Sequence, residues 1–139
     1  MSLKRTPADV AFSKCIRERV DYTCERCGKQ FSRSSAGLHC SHNYSRTNRT
    51  IRWCKENALA LCYPCHRWFG GNPLDSGHWL EKKIGAGAVE ILREKMRSKI
   101  KVTKQEEKEI AKFYREELKK QQEKRASGAQ GVIEFESYQ

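Results

Sequence analysis

Apolar residues repeat every three or four positions near both ends of the chain, as on one face of a helix. Thr6-Pro7 is a typical N-cap and first-turn pair, and it predicts a first helix that ends near residue 20. A second amphipathic helix is predicted between Val89 and Ile100. Thr103 then begins a capping box ahead of a further helix whose apolar stripe is narrow.

The middle of the chain has a different pattern, with two short apolar runs at residues 38–44 and 58–61. Runs of this length, separated by polar residues, predict two short strands. Pro64 opens a short helix after the second run, and another helix is predicted over residues 79–84. The order strand, loop, strand, helix, with helices on either side, predicts an α+β fold around a small sheet.

Four cysteines form two Cys-x-x-Cys pairs, Cys24/Cys27 and Cys62/Cys65, which are separated by 34 residues. Two such knuckles supply the four thiolates of a tetrahedral structural Zn²⁺ site, and Gly28 suits the tight turn after the first pair. Disulfides are the alternative. An odd number of cysteines, seven in total, with knuckle spacing favours a reducing compartment and therefore zinc.

The chain carries a net charge of +11: residues 1–80 contribute +7, residues 81–125 contribute +6 and the last 14 residues contribute −2. A partner rich in phosphate explains this excess, although solvated surface lysines are the alternative. The stretch from residue 43 to residue 55 contains no acidic residue. Its four cations are predicted to contact the phosphodiester backbone of DNA. These are Arg46, Arg49, Arg52 and Lys55.

Composition also predicts how the chain is divided. A hydrophobic content of only 37 % indicates a small core that zinc helps to stabilise. We expect a zinc-knuckle core with the N-terminal helix over residues 1–80, a basic helical extension over 81–126 and a flexible tail over 127–139. The tail is rich in glycine before a short apolar run, and an added strand is the alternative for it. The helices of residues 86–125 could also pair in a homodimer. Without an apolar leader or a membrane-spanning run, an intracellular protein with no membrane partner is expected.

Three residues between and after the knuckles, His42, Asn57 and His66, follow one another in the order His-Asn-His. The phrase from Asn57 to His66, NALALCYPCH, resembles the C-terminal half of HNH nucleases with paired knuckles. With Ser41-His42 and residues 12–17 and 50–53, the chain is similar to phage HNH endonucleases of the NinG (Rap) recombination type. It is more distantly similar to the endonuclease VII and McrA families.

The resemblance implies a ββα-metal (HNH, or His-Me finger) core and a metal-dependent endonuclease that acts on phage DNA in the cytoplasm of the bacterial host. Branched or recombining DNA is the implied substrate. His42 is then the general base that activates water, because a neutral imidazole suits this task near physiological pH. His66 would hold a catalytic Mg²⁺ or Mn²⁺ ion, and Asn57 would keep His42 in register by bonding to the loop.

One position departs from the HNH pattern. Many HNH nucleases have an acidic residue or a histidine immediately before the base, whereas this chain has Ser41. His39 could substitute as a metal ligand, but an offset of three on a strand is expected to point it to the other face. His66 would then be the one clear protein ligand, with water and phosphate completing the shell of the ion.

Other interpretations of these residues remain open. Asn57 could simply cap the short strand. A second structural zinc could instead occupy the base, with His39, Cys40, His42 and Cys54 as ligands. The alternative function is a non-catalytic zinc-knuckle protein that binds nucleic acid, which needs only the cysteines and the basic surface. RNA binding is weaker still, because no aromatic stacking platform is evident.

Overall fold

Two antiparallel strands and the helix that directly follows them lie at the centre of the computed structural model, which describes residues 4–139. Within these residues there are five α-helices and one two-stranded sheet, so the predicted α+β class is confirmed. The helices and strands are α1 (Pro7–Arg19), β1 (Leu38–His42), β2 (Ala58–Cys62), α2 (Tyr63–Gly71), α3 (Pro73–Ile84), α4 (Ala86–Ser98) and α5 (Lys104–Ala126), with a 3-10 turn at Lys55–Asn57.

Helix α1 begins where the sequence predicts. The Thr6 hydroxyl accepts a hydrogen bond from the Asp9 backbone amide at 3.3 Å, and the Asp9 carboxylate accepts one from the Thr6 amide at 2.8 Å. This reciprocal pair satisfies two amides that the helix itself leaves unbonded. Helix α1 buries Phe12 and Ile16 in the core.

The two strands are short and paired along their whole length, from Leu38 opposite Cys62 to His42 opposite Ala58. All five residues of β2 are buried. Strand β1 ends at His42, two residues earlier than predicted, although the Asn43 amide still donates to the Asn57 backbone oxygen at 2.8 Å. Helix α3 also differs from its prediction, since it begins at Pro73, a residue that favours the first helical turn.

The predicted helical extension belongs to the same core as the zinc region. Tyr114 of α5 is fully buried, and its ring lies edge-on to Phe12 of α1 with centroids 5.0 Å apart. Val89 of α4 is part of the same cluster of buried side chains. Residue 80 is therefore not a boundary in the packing. Within residues 4–139, no helix combines the length and the apolar content that crossing a membrane requires.

The C-terminal segment, which was expected to be a flexible tail, packs against this core. Ile133 and Phe135 are 5 % and 4 % exposed, and the Phe135 ring contacts the rings of Phe12 and Tyr114. The Ile133 amide donates to the backbone oxygen of Arg19 at 2.8 Å. The prediction of a free tail over residues 127–139 is therefore corrected. Local composition missed the segment because its apolar residues contact distant helices.

The end of the same segment is bonded to the loop that precedes β2. The Trp53 amide donates to Gln139 Oε1 at 2.8 Å, and the Gln139 side chain donates to the Arg49 backbone oxygen at 2.9 Å. The Lys55 amide donates to the Ser137 hydroxyl at 3.1 Å. These bonds restrain the loop between the two strands, on which part of the candidate site depends.

Phe135→Ala is expected to lower the free energy of unfolding by about 3–5 kcal/mol, because it removes a buried ring from a cluster of aromatic side chains. Val132→Ala is the matched control, since Val132 is 63 % exposed, and it should change stability by less than about 0.5 kcal/mol. Urea unfolding followed by circular dichroism measures both. Equal unfolding midpoints for the two variants would mean that the segment does not pack in solution.

Candidate functional site

The four knuckle cysteines meet at one point between the loop after α1 and the β2–α2 junction. Their Sγ atoms all lie within 4.8 Å of one another, and those of Cys27 and Cys62 are 3.6 Å apart. A regular zinc tetrahedron with Zn–S bonds of about 2.3 Å has sulfurs about 3.8 Å apart. The four cysteines can therefore bind a structural zinc ion. Its ligands would be Cys24, Cys27, Cys62 and Cys65.

The backbone amides around Cys24 favour its thiolate, whereas burial raises the pKa of Cys62 and of Cys65, so that these two sulfurs would lose their protons on binding the metal. The Cys62 amide donates to Cys24 Sγ at 3.3 Å, and the Arg26 guanidinium donates to Cys65 Sγ at 3.5 Å. Burial opposes ionisation of Cys24, but amides of Cys27, Cys62 and Arg26 outweigh it and lower its pKa to about 6. Gly28 takes a positive φ of 81°, which closes the knuckle turn as expected.

A cleft of about 610 Å³ lies beside the zinc site and collects three histidines on its walls. His39 and His42 come from β1, whereas His66 lies on α2 directly after the zinc ligand Cys65. Three arginines line the same cleft. These are Arg5, Arg17 and Arg46. The cleft thus combines imidazoles with cations, which is the composition needed to bind and act on a phosphate ester.

His42 is held in one orientation by the loop that follows β1. Its Nε2 lies 2.9 Å from the Arg52 backbone oxygen, and because a carbonyl only accepts, Nε2 must donate. Nδ1 is then the nitrogen that keeps a lone pair in the neutral ring. Burial is the main cause that lowers the pKa of His42 to about 4, so the ring is neutral at physiological pH. The neutral ring therefore keeps a lone pair at Nδ1, but the same lowered pKa makes it a weaker base than an unperturbed histidine.

Asn57 fixes the start of that loop. Its side chain is fully buried, accepts a hydrogen bond from the Tyr44 amide at 2.8 Å, and donates to the backbone oxygens of Tyr44 and Ile51 at 3.1 and 3.2 Å. Tyr44 lies two residues after His42. Through Tyr44 the Asn57 side chain holds the end of β1, and through Ile51 it holds the loop that leads back to β2.

His39 and His66 face each other across the cleft. Their Nδ1 atoms are 3.0 Å apart, and the rings meet edge to face at 83°. The expectation that His39 points away from the site is therefore wrong. Successive residues of β1, including Leu38, His39 and Cys40, line the same cleft, so the alternation expected of an ideal strand does not decide which of them reach it. Two imidazole nitrogens in this position can hold a divalent metal ion together.

Arg52 does not belong to a DNA surface, contrary to its prediction. The residue is 2 % exposed, and its Nη2 and Nε donate to the two oxygens of Asp9 at 2.6 and 3.0 Å. The Trp53 indole also donates to Asp9, at 3.1 Å. Burial would raise the pKa of Asp9, but the bonds from Arg52 and the Thr6 amide lower it below its ordinary value. The pair is structural.

Arg49 and Lys55 are also committed to contacts within the protein. Arg49 donates to the Glu107 carboxylate at 2.7 Å, and Lys55 Nζ donates to the Phe135 backbone oxygen at 3.1 Å. The acid-free stretch is therefore compensated by carboxylates from other parts of the chain. Of its four cations, Arg46 lines the cleft, where it lies 3.5 Å from Asp9.

Arg52→Ala is expected to destabilise the protein by about 3–5 kcal/mol, because the buried Asp9 carboxylate would lose its two short bonds to Arg52 and, of its ion pairs, keep only the longer one with Arg46. Arg97→Ala is the control, since the Arg97 side chain is 72 % exposed and lies 3.9 Å from Glu90. This change should cost less than about 0.5 kcal/mol. Urea unfolding at pH 7 compares them. An Arg52→Ala protein as stable as Arg97→Ala would contradict the structural assignment.

The second zinc site that His39, Cys40, His42 and Cys54 could have formed is not assembled. Cys54 Sγ instead donates to the Glu56 carboxylate at 3.1 Å, on the side of the loop that faces α4. In the described part of the chain, only one group of three or more metal-binding side chains has its donor atoms close together, and this group is the four knuckle cysteines. Cys15 is buried and donates to the Tyr114 backbone oxygen at 3.2 Å, so it is a residue of the core.

Three residues of the cleft wall were missed by the sequence reasoning. Arg5 precedes α1, whereas Ser13 and Arg17 lie one helical turn apart on it. The sequence predicts α1 as a core helix, and its polar side carries no motif that indicates a ligand site. The spacing of four between Ser13 and Arg17 was the available signal, but it gains meaning only when β1 lies against that side.

Comparison with known proteins gives one family. A family model described as the bacteriophage lambda NinG protein matches residues 5–124. The matched span includes α1, both knuckles, the histidine cleft and nearly all of α5. No curated protein and no solved structure matches the chain.

Proposed function

Because the chain belongs to the bacteriophage lambda NinG protein family, we propose that it is an HNH-type endonuclease that hydrolyses DNA phosphodiester bonds in phage recombination. Family membership supports the recombination-related role. The nuclease assignment rests on one observation: a neutral histidine with a fixed tautomer shares a cleft with two further histidines and three arginines. Such a cleft can supply a base, a metal site and phosphate ligands together.

His42 is the proposed general base. Its Nε2 proton is engaged by the Arg52 backbone oxygen, so Nδ1 is the atom that would take a proton from the attacking water. Asn57 acts through the loop: its bonds to Tyr44 and Ile51 hold the chain segment that carries this oxygen. His42 is therefore oriented by backbone contacts instead of by a carboxylate.

His66 is the proposed ligand of a catalytic ion, and His39 lies close enough to be a second one. A divalent ion bound there would stabilise the negative charge that develops on the phosphate and the leaving oxygen. Two imidazole ligands suit Mn²⁺ better than Mg²⁺, which prefers oxygen ligands. Both ions are compatible with water and phosphate completing the coordination.

A cleavage assay tests the proposal. Purified zinc-loaded protein is incubated with linear duplex, single-stranded and branched DNA, each with Mg²⁺, with Mn²⁺ or without added divalent ion. We expect metal-dependent cleavage, with the branched DNA as the preferred substrate. Protein that binds all three DNAs but cuts none with either ion would contradict the nuclease and would favour the non-catalytic zinc-knuckle module.

A further inference from the structure

We propose that Arg5, Ser13 and Arg17 form a phosphate-binding site on the α1 side of the histidine cleft, and that it holds one backbone phosphate of the DNA. The inference rests on the proposed function, because DNA is taken to be the ligand. Neither guanidinium belongs to the basic stretch of residues 43–55 that the sequence indicated. The site instead uses Arg5, which precedes α1, and two residues on the polar side of α1 that lines the cleft.

The two guanidiniums converge on one hydroxyl. Arg5 Nη2 donates to Ser13 Oγ at 2.9 Å, and Arg17 Nη2 donates to the same atom at 3.4 Å. Ser13 Oγ in turn donates to the Val10 backbone oxygen at 3.0 Å, so both its proton and its lone pairs are used. Ser13 is only 5 % exposed, which makes it a fixed point between the two cations.

Within residues 4–139, neither Arg5 nor Arg17 forms an ion pair with a carboxylate. Asp9 lines the same cleft, but its two oxygens are taken by Arg52, and Arg46 lies 3.5 Å from one of them. Two like charges held at one hydroxyl repel each other. An anion between them would remove this cost.

Arg17 also has unused hydrogen-bonding capacity. Its Nε is buried without a hydrogen-bond partner, and its Nη1 reaches the Leu38 backbone oxygen only at 3.4 Å, beyond the usual range of a strong bond. Arg52, in contrast, binds Asp9 through two short bonds. A small rotation of the Arg17 side chain would present the planar fork that binds two phosphate oxygens at once.

The position of the site fits a DNA strand that crosses the cleft. Arg17 contacts the backbone of Leu38, the residue before His39, and both arginines line the cleft that holds His42 and His66. A phosphate held by the arginines from the α1 wall would fix the strand with respect to the base on β1. The site would therefore position the DNA, while the histidines carry out the chemistry.

Salt-dependent DNA binding tests this site without requiring cleavage. Affinity for a short duplex is measured by fluorescence anisotropy without added divalent ion, over a series of NaCl concentrations, for wild type, Arg5→Ala and Arg17→Ala. One lost phosphate contact lowers the magnitude of the slope of log K against log[NaCl] by about 0.9. Each variant should show this loss. Arg97→Ala is the control, because Arg97 is exposed on α4, which does not line the cleft, and it should keep the wild-type slope.

Arg17→Gln serves as a second variant that keeps a side-chain donor toward Ser13, and it should lose the same slope even if Arg17→Ala folds poorly. Wild-type slopes in Arg5→Ala and Arg17→Gln, with zinc content unchanged, would overturn the phosphate site. A protein that cuts DNA but shows no such loss refutes this site alone. A protein that shows the loss but never cuts supports the site and refutes the nuclease.

Competition with inorganic phosphate tests whether the phosphate group itself is recognised. Millimolar phosphate should weaken the duplex affinity of wild type and should leave that of Arg17→Gln unchanged.

Discussion

Replacing His42 with glutamine is expected to reduce DNA cleavage by about a hundred- to ten-thousandfold, which is the usual contribution of a general base. Glutamine can still donate to the Arg52 backbone oxygen, as His42 Nε2 does, but it cannot accept a proton at neutral pH. The orientation of the loop should therefore survive while the proton acceptor is lost. His42→Ala removes both and should lose at least as much activity.

The experiment compares single-turnover cleavage rates at saturating DNA, together with zinc content, melting temperature and DNA affinity. His78→Ala is the matched control, since His78 is exposed on α3 and does not line the cleft, and it should cleave like wild type. A His42→Gln protein that cleaves at the wild-type rate would remove His42 from the mechanism. Loss of zinc from His42→Gln would instead identify His42 as a structural ligand.

Features that depend on neighbouring residues could be predicted from the sequence. The start of α1 follows from Thr6 and Asp9, which are three residues apart and bond to each other. The knuckles follow from the two-residue spacing within each cysteine pair, which lets one turn present both sulfurs. The order of the two strands and α2 follows from apolar runs and Pro64, whose effects are also local.

The errors share a different cause, because each depended on contacts between residues far apart in the chain. Arg52 was assigned to DNA because its neighbours are basic, yet its partner Asp9 lies 43 residues away. The C-terminal segment was expected to be free because it follows a glycine-rich stretch, yet Phe135 packs on Phe12. Charge patterning along the chain does not show which cations are neutralised in the fold.

The histidine cleft depends both on residues that are neighbours in the chain and on contacts between distant ones. Sequence order indicated His42, Asn57 and His66 together, and Asn57 does bond to the loop as its predicted role requires. His39 was expected on the other face by the alternation of an ideal strand, yet its Nδ1 lies 3.0 Å from that of His66 on α2. The distance between these two histidines depends on how α2 packs against β1, which the spacing of residues along the chain does not give.

Loss of zinc is expected to have the largest effect on the fold, because the ion would join segments that share little other structure. Cys24 and Cys27 lie in a loop that the chain otherwise holds through the Thr23–Gln30 bridge and a few hydrogen bonds, whereas Cys62 and Cys65 end β2 and begin α2. Structural zinc sites supply apparent binding energies of about 10–16 kcal/mol in small peptides, which exceeds or equals the whole stability of a typical domain. The protein is therefore expected to depend on its metal.

Cys62→Ser should purify without stoichiometric zinc and should melt without a cooperative transition, or at least about 10 °C below wild type. Wild type treated with a strong chelator should behave in the same way and recover on adding Zn²⁺. Cys40→Ser is the control, because Cys40 lies in the cleft wall outside the four-sulfur cluster, and it should keep one zinc per chain. Elemental analysis and thermal melting followed by circular dichroism measure these outcomes.

Because His66 follows Cys65 directly, zinc loss should also abolish cleavage, even with Mn²⁺ in excess. Cys62→Ser protein that retains one zinc and the wild-type melting temperature would show that the knuckles do not form the metal site.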